Sequence, residues 1–147
     1  GDAAAGLAVL SEQLSVDESV AAFLTTRYTR PAARLALGEA LRSCATSCID
    51  VSDGLLAEAA HVATASGVGL EIDSVLLPLS EAMGSLADSQ LSLHWALAGG
   101  DDYELLFTLP SSMPLPDGCT EMGRVVAGSG ISCDRIPERI GYDHFRH

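Results

Sequence analysis

The chain contains no lysine. Its eight cationic side chains are all arginines, set against twenty Asp and Glu, and the formal net charge is −12. Binding along a nucleic-acid backbone requires clustered cations, so this balance argues against a nucleic-acid partner. Long apolar runs are missing too: no stretch approaches the roughly 20 residues that a membrane span needs. The first residues, Gly1-Asp2-Ala3-Ala4-Ala5, place no basic residue ahead of an apolar segment, so no targeting signal and no membrane partner are expected. These absences lead to the expectation of a soluble, cytoplasmic protein. There is no GxxxxGK[ST] phosphate loop and no GxSxG elbow, which sets aside a Walker-type nucleotide site and a hydrolase triad. The four cysteines, Cys44, Cys48, Cys119 and Cys133, follow neither zinc-ligand nor dense disulfide spacing. Reduced thiols are expected, with a Cys44 to Cys48 bridge or a longer-range pair left open.

What is present is enough apolar material for a core. At 147 residues and 48% hydrophobic, one domain is expected, with no repeat or linker. Helices are predicted over residues 1–14, with Asp2 as N-cap, over 17–28, and from Pro31 through Leu41. Residues 46–51 read as a short buried strand. The segment 53–66 reads as a helix whose apolar face carries Leu55, Leu56, Ala59, Ala60, Val62 and Ala63, leaving Glu58 and His61 on the polar side. Gly67 closes it, a strand follows over 68–72, and short helices are expected over 80–86 and 90–97. Residues 103–109 form the clearest strand. The nine or so residues after Pro110 are too few for a helical crossover, so the strand at 120–126, if adjacent, must pair antiparallel. Alternating helices and strands of this kind define a mixed-sheet α/β or α+β layer fold.

Two acidic motifs carry chemistry. Asp50-Val51-Ser52-Asp53-Gly54-Leu55 runs from a strand into a helix, and strand alternation places Asp50 and Ser52 on one face with Ile49 and Val51 on the other. Free amides at a helix start favour phosphate, whereas carboxylates repel it unless a divalent cation lies between them. Mg2+, which takes hard oxygen ligands, resolves that conflict. Plain helix capping by Asp53 and a turn bond from Ser52 explain the same residues without function. The second motif, Gly99-Gly100-Asp101-Asp102-Tyr103-Glu104-Leu105, presents Asp101 or Asp102 to an amine or hydroxyl, with exposed capping acids as the alternative. Glu104 is expected to lie in a strand and to pair or face solvent rather than act chemically. Near the end, Tyr142 and Phe145 either stack on a ligand or dock the tail on the core. His61, His94 and His147 are poor catalytic candidates.

Taken together, Ser47–Asp73 (SCIDVSDGLLAEAAHVATASGVGLEID), Ala96–Thr108 (ALAGGDDYELLFT) and Gly141–Phe145 (GYDHF) resemble the thiamine-monophosphate kinase family, and GDAAAGL at Gly1–Leu7 extends the likeness to the first residues. The resemblance implies a C-terminal domain of the aminoimidazole ribonucleotide synthetase superfamily, a three-layer α/β/α domain with a mixed sheet over residues 1–147. It implies a missing N-terminal domain that would supply most ATP and Mg2+ ligands and the homodimer contacts. It further implies ATP-dependent phosphorylation of thiamine monophosphate to thiamine diphosphate, with ATP as co-substrate. By motif, Asp50 and Asp53 are similar to the family's Mg2+ ligands and Ser52 to its ATP contact. Asp101 and Tyr142 are similar to residues that bind the thiamine substrate, whose cationic ring an acid and an aromatic both favour. The chain alone is expected to be inactive. The alternatives are a catalytically silent cation-binding or ligand-binding module of this fold, and a sibling ATP-dependent synthetase. The link from Pro110 to Thr120 is shorter than the family pattern, in which a helix often lies there.

Overall fold

Alanine and glycine let the first two helices meet closely. In the computed structural model, which describes residues 1–137, α1 (Asp2–Leu10) packs on α2 (Glu18–Thr29). Gly6 of α1 lies so near α2 that a Cβ there would sit 2.1 Å from the Leu24 carbonyl oxygen. Leu24, Ala5 and Met83 are buried together beneath Val9, Val20 and Trp95, forming a small helical core. Asp2 is not the N-cap of α1. Gly1 takes that place, and the Asp2 carboxylate instead accepts a 2.6 Å bond from the Ser80 hydroxyl and faces Arg27 at 3.4 Å. α3 spans Leu35–Leu41 and starts after Pro31 rather than at it.

The strands are four residues each and form two sheets. β1 (Ser47–Asp50) pairs antiparallel with β3 (Leu105–Thr108), Asp50 standing opposite Leu105. β2 (Gly69–Ile72) is the centre of a mixed sheet, antiparallel to β4 (Gly123–Val126) and parallel to β5 (Gly130–Cys133). The expected mixed sheet is therefore present, but β3 and β4 are in different sheets and do not pair. β5, with only Ile131 and Cys133 turned toward the core in a Gly- and Ser-rich stretch, was not foreseen.

α4 (Leu55–Ser66) joins the two sheets. Leu56, Ala59, Val62 and Ala63 pack against Val51 and Leu106 of one and Leu70 and Ile72 of the other, making the main core. Gly67 ends the helix in the left-handed region, φ 63°, as its position predicts. A 3-10 turn (Ser74–Leu76), α5 (Glu81–Gly84) and α6 (Ser89–Ala98) follow, the last two capped by the Ser80 and Asp88 side chains. No helix among the described residues is long and apolar enough to cross a membrane. The four cysteines are free thiols.

Candidate functional site

β1 delivers the first motif as its alternation requires. Asp50 is exposed and Val51 is buried in the core, 6% exposed, while Ser52 and Asp53 are half-buried at the turn into α4. Gly54 makes that turn possible: its φ is 128°, and a Cβ would meet the Ala98 carbonyl oxygen at 2.8 Å. As the N-cap of α4, Gly54 has no side-chain bond to the helix. Gly54 itself therefore supplies none of the side-chain acceptor that a Ser or Asp at the N-cap would.

The second motif is tied to the first by backbone bonds. The Val51 amide donates to the Glu104 carbonyl at 2.8 Å, the Tyr103 amide to the Val51 carbonyl at 2.9 Å, and the Asp101 amide to the Ser52 carbonyl at 2.8 Å. These continue the β1–β3 ladder beyond the strands. Gly100 permits the approach, because a Cβ there would lie 2.3 Å from the Ser52 carbonyl oxygen. Asp101 and Tyr103 both take positive φ, 65° and 50°. Asp tolerates that region, but for a bulky Tyr it is rare and costs of order 1 kcal/mol or more, which the paired loop must offset. Tyr103 was expected inside the strand, yet β3 begins only at Leu105.

Side chains along the loop go to opposite sides. Asp101 and Tyr103 are exposed and joined, the Tyr103 hydroxyl donating to Asp101 Oδ1 at 3.2 Å. That bond, then the Asp101 charge and desolvation, with smaller contributions from the Asp50 and Asp53 charges, raise the Tyr103 phenol above its ordinary range. Asp102 turns inward, 8% exposed, where Oδ1 accepts from the Ala3 amide at 3.0 Å and Oδ2 meets the Gly1 nitrogen. Glu104 lies just before β3 rather than in it, and it is paired, accepting from Arg27 and Arg34. Burial opposes its charge, but the Arg34 and Arg27 bonds leave its carboxyl below the usual range.

Glu58 corrects the sequence reading. Placed on the polar side of α4, it is in fact 3% exposed, with Oε1 accepting from the Ser52 hydroxyl at 3.0 Å and the Asp53 amide at 3.1 Å. Its other oxygen is 3.1 Å from Nδ1 of the exposed His61. Burial raises the Glu58 carboxyl, but the His61, Asp53 and Ser52 bonds outweigh it and leave a lowered value. Its partners Ser52 and Asp53 lie before the helix that carries it, so no local sequence signal marks it. Tyr142 lies outside the described residues. Among the described residues no three His, Cys, Asp or Glu side chains are grouped to hold a metal ion. A cavity of about 1180 Å³ between β2, β3 and β4 is lined by Asp102 and Glu104 rather than by Asp50, Ser52, Asp53 or Asp101.

Two acidic loops locked edge to edge beside the start of α4 make up the candidate site. Sequence and structure comparisons place the chain among phosphotransferases. The chain is 40% identical over 161 residues to the thiamine-monophosphate kinase of Salmonella typhimurium, covering 99% of this chain and 50% of the relative. It is 39% identical over 150 residues to that of Aquifex aeolicus, covering 99% and 49%. Among solved structures, one described as AaThiL complexed with AMPPCP and TMP superposes with TM-score 0.88 at 38% identity, over 98% of this chain and 48% of the other. The thiamine-monophosphate kinase of Stenotrophomonas maltophilia K279a gives 0.80 at 34% identity, over 91% and 47%. No family model matches the chain. The chain belongs to the thiamine-monophosphate kinase family, and it spans about half the length of the curated relatives it matches.

Proposed function

We propose that the chain is the C-terminal half of a thiamine-monophosphate kinase, forming one wall of the cleft in which ATP phosphorylates thiamine monophosphate to thiamine diphosphate. The observation that carries this is the superposition, at TM-score 0.88 and 38% identity, on a structure holding AMPPCP and TMP. Phosphoryl transfer of this kind depends on positioning and charge neutralisation rather than on a covalent intermediate. The residues on this wall suit that work. Asp50 and Asp53 offer hard oxygens, and Mg2+ uses one or two carboxylates together with substrate phosphates and water, so the two fit as part of a ligand set completed from elsewhere. Bound there, Mg2+ would neutralise phosphate charge beside the carboxylates. Ser52 contacts the ATP side of the cleft, and the start of α4 offers its first amides to phosphate. Asp101 and Tyr142 bind the cationic thiamine end, with Tyr103 holding Asp101 by its hydroxyl. On this reading the full-length enzyme is a cytoplasmic homodimer with an N-terminal domain carrying the remaining ligands.

The test uses the full-length protein. Asp50→Asn and Asp53→Asn are each expected to lower kcat/KM for thiamine diphosphate formation by about a hundredfold or more, as loss of metal ligation and charge neutralisation does. Asp101→Asn should act chiefly on KM for thiamine monophosphate. The 147-residue chain by itself is expected to form no thiamine diphosphate from ATP. Full activity in the Asp50 and Asp53 variants would remove those residues from the site, and product formation by the isolated chain would overturn the half-site reading.

A further inference from the structure

Among the described residues, Glu58 is the buried carboxylate whose bonds all run to the turn at Ser52 and Asp53 and its flank. A buried charge costs several kcal/mol unless it is fully bonded, and here both oxygens are engaged: Oε1 by the Ser52 hydroxyl and the Asp53 amide, Oε2 by His61. Ordinary capping would satisfy the first amides of the helix itself. Glu58 instead reaches past Gly54 to the two residues before it, and the N-cap keeps no side-chain bond. The choice has a chemical consequence at Ser52. A hydroxyl has one proton and two lone pairs. A carboxylate can only accept, so the Ser52 proton points inward to Glu58, and the oxygen shows lone pairs alone to anything in the cleft. An oxygen in that state cannot donate to phosphate, but it can face a cation or accept from water bound to one.

We propose that Glu58 is a positioning residue for this turn: it fixes Ser52 as an acceptor directed at a divalent cation or its bound water, and pins the Asp53 backbone beside it. The inference rests on the reading of Asp50–Asp53 as the cation and nucleotide wall. Gln at position 58 keeps a carbonyl for both the Ser52 hydroxyl and the Asp53 amide, whereas Ala keeps neither.

The experiment titrates Mn2+ into the full-length protein, follows free Mn2+ by electron paramagnetic resonance, and measures KM for ATP in parallel. Glu58→Ala is expected to weaken Mn2+ binding by about 10- to 100-fold, as loss of a partner that orients a ligand does, with Glu58→Gln within about threefold of wild type. Ser52→Ala, a change at the half-buried turn outside the hydrophobic core, should weaken Mn2+ binding in the same direction. Its effect should shrink in the Glu58→Ala background because the two act as one unit. Wild-type Mn2+ affinity in both Ser52→Ala and Glu58→Ala overturns the inference, as does a raised KM for ATP in Ser52→Ala with Mn2+ binding unchanged, which would make Ser52 a phosphate donor. Should Glu58→Ala not fold, Ser52→Ala alone decides between these outcomes. Wild-type protein that neither binds Mn2+ nor forms thiamine diphosphate overturns the site reading itself, a result distinct from a bound cation indifferent to Glu58.

Discussion

Asp101 and Asp102 are adjacent and chemically identical, and the backbone between them decides their use. The positive φ of Asp101 and the bonds from its amide and that of Tyr103 to β1 turn one carboxylate out and the next in. Asp101 reaches solvent beside the Tyr103 hydroxyl, while Asp102 takes the Ala3 amide at the start of α1. Asp102 thus performs for α1 the service that a local Ser or Asp performs elsewhere, from the far side of the sequence. Replacing it with Ala should cost about 1–2 kcal/mol, the usual loss for a helix N-terminal acceptor, read as a lower urea midpoint. Asp102→Asn retains an acceptor oxygen and should lose less; equal loss in both would show that charge, not acceptance, matters there. From sequence the two acids could not be told apart, because nothing local announces the turn that Ser52 imposes on Gly100. Asp50 and Val51 were legible, since strand alternation alone separates them.

Among the elements, those with strong periodicity or punctuation were readable. α2 follows its apolar spacing, α4 ends at Gly67, and α5 and α6 begin after Ser80 and Asp88. Sheet membership was not readable, because pairing of four-residue strands is set by contacts distant in sequence rather than by local preference. β5 was hidden for the same reason, and Glu58 because its partners precede the helix that carries it. The α1–α2 contact shows how local composition meets tertiary demand: helix propensity disfavours Gly6, yet the crossing requires it. Gly6→Ala places a Cβ against the Leu24 carbonyl. The gain of up to 1 kcal/mol in propensity should be outweighed by an overpacking loss of about 1–3 kcal/mol. Thermal unfolding checks the sign; a raised Tm would mean that the two helices can move apart freely.

For the molecule as a whole, a net charge of −12 makes each arginine matter. Arg27 reaches both Asp2 and Glu104, and Arg34 also reaches Glu104, so two cations tie α2 and the approach to α3 onto the base of the acidic loop. The Glu104 carboxyl titrates below its ordinary range in the folded chain, so on acidification the unfolded chain takes up the proton first. The stabilisation is complete above the unfolded value of about 4.3 and is lost as pH falls through the lower, folded value. Glu104→Gln should therefore lower stability at neutral pH, by about 1 kcal/mol given the partial exposure of the cluster. The variant should then converge on wild type in strong acid, followed as Tm against pH. A constant difference at every pH would exclude the arginine pairing as the cause. The ladder above this cluster has its own implication. Because the exposed Asp101 and Tyr103 flank the buried Asp102, a slip of β3 by one residue along β1 would exchange which of them faces the core. The rim would then show the helix acceptor to solvent, and bury the phenol. The identity of this site is thus stored in alignment as much as in composition, and a single inserted residue between Gly100 and Leu105 could erase it with every motif residue still in place.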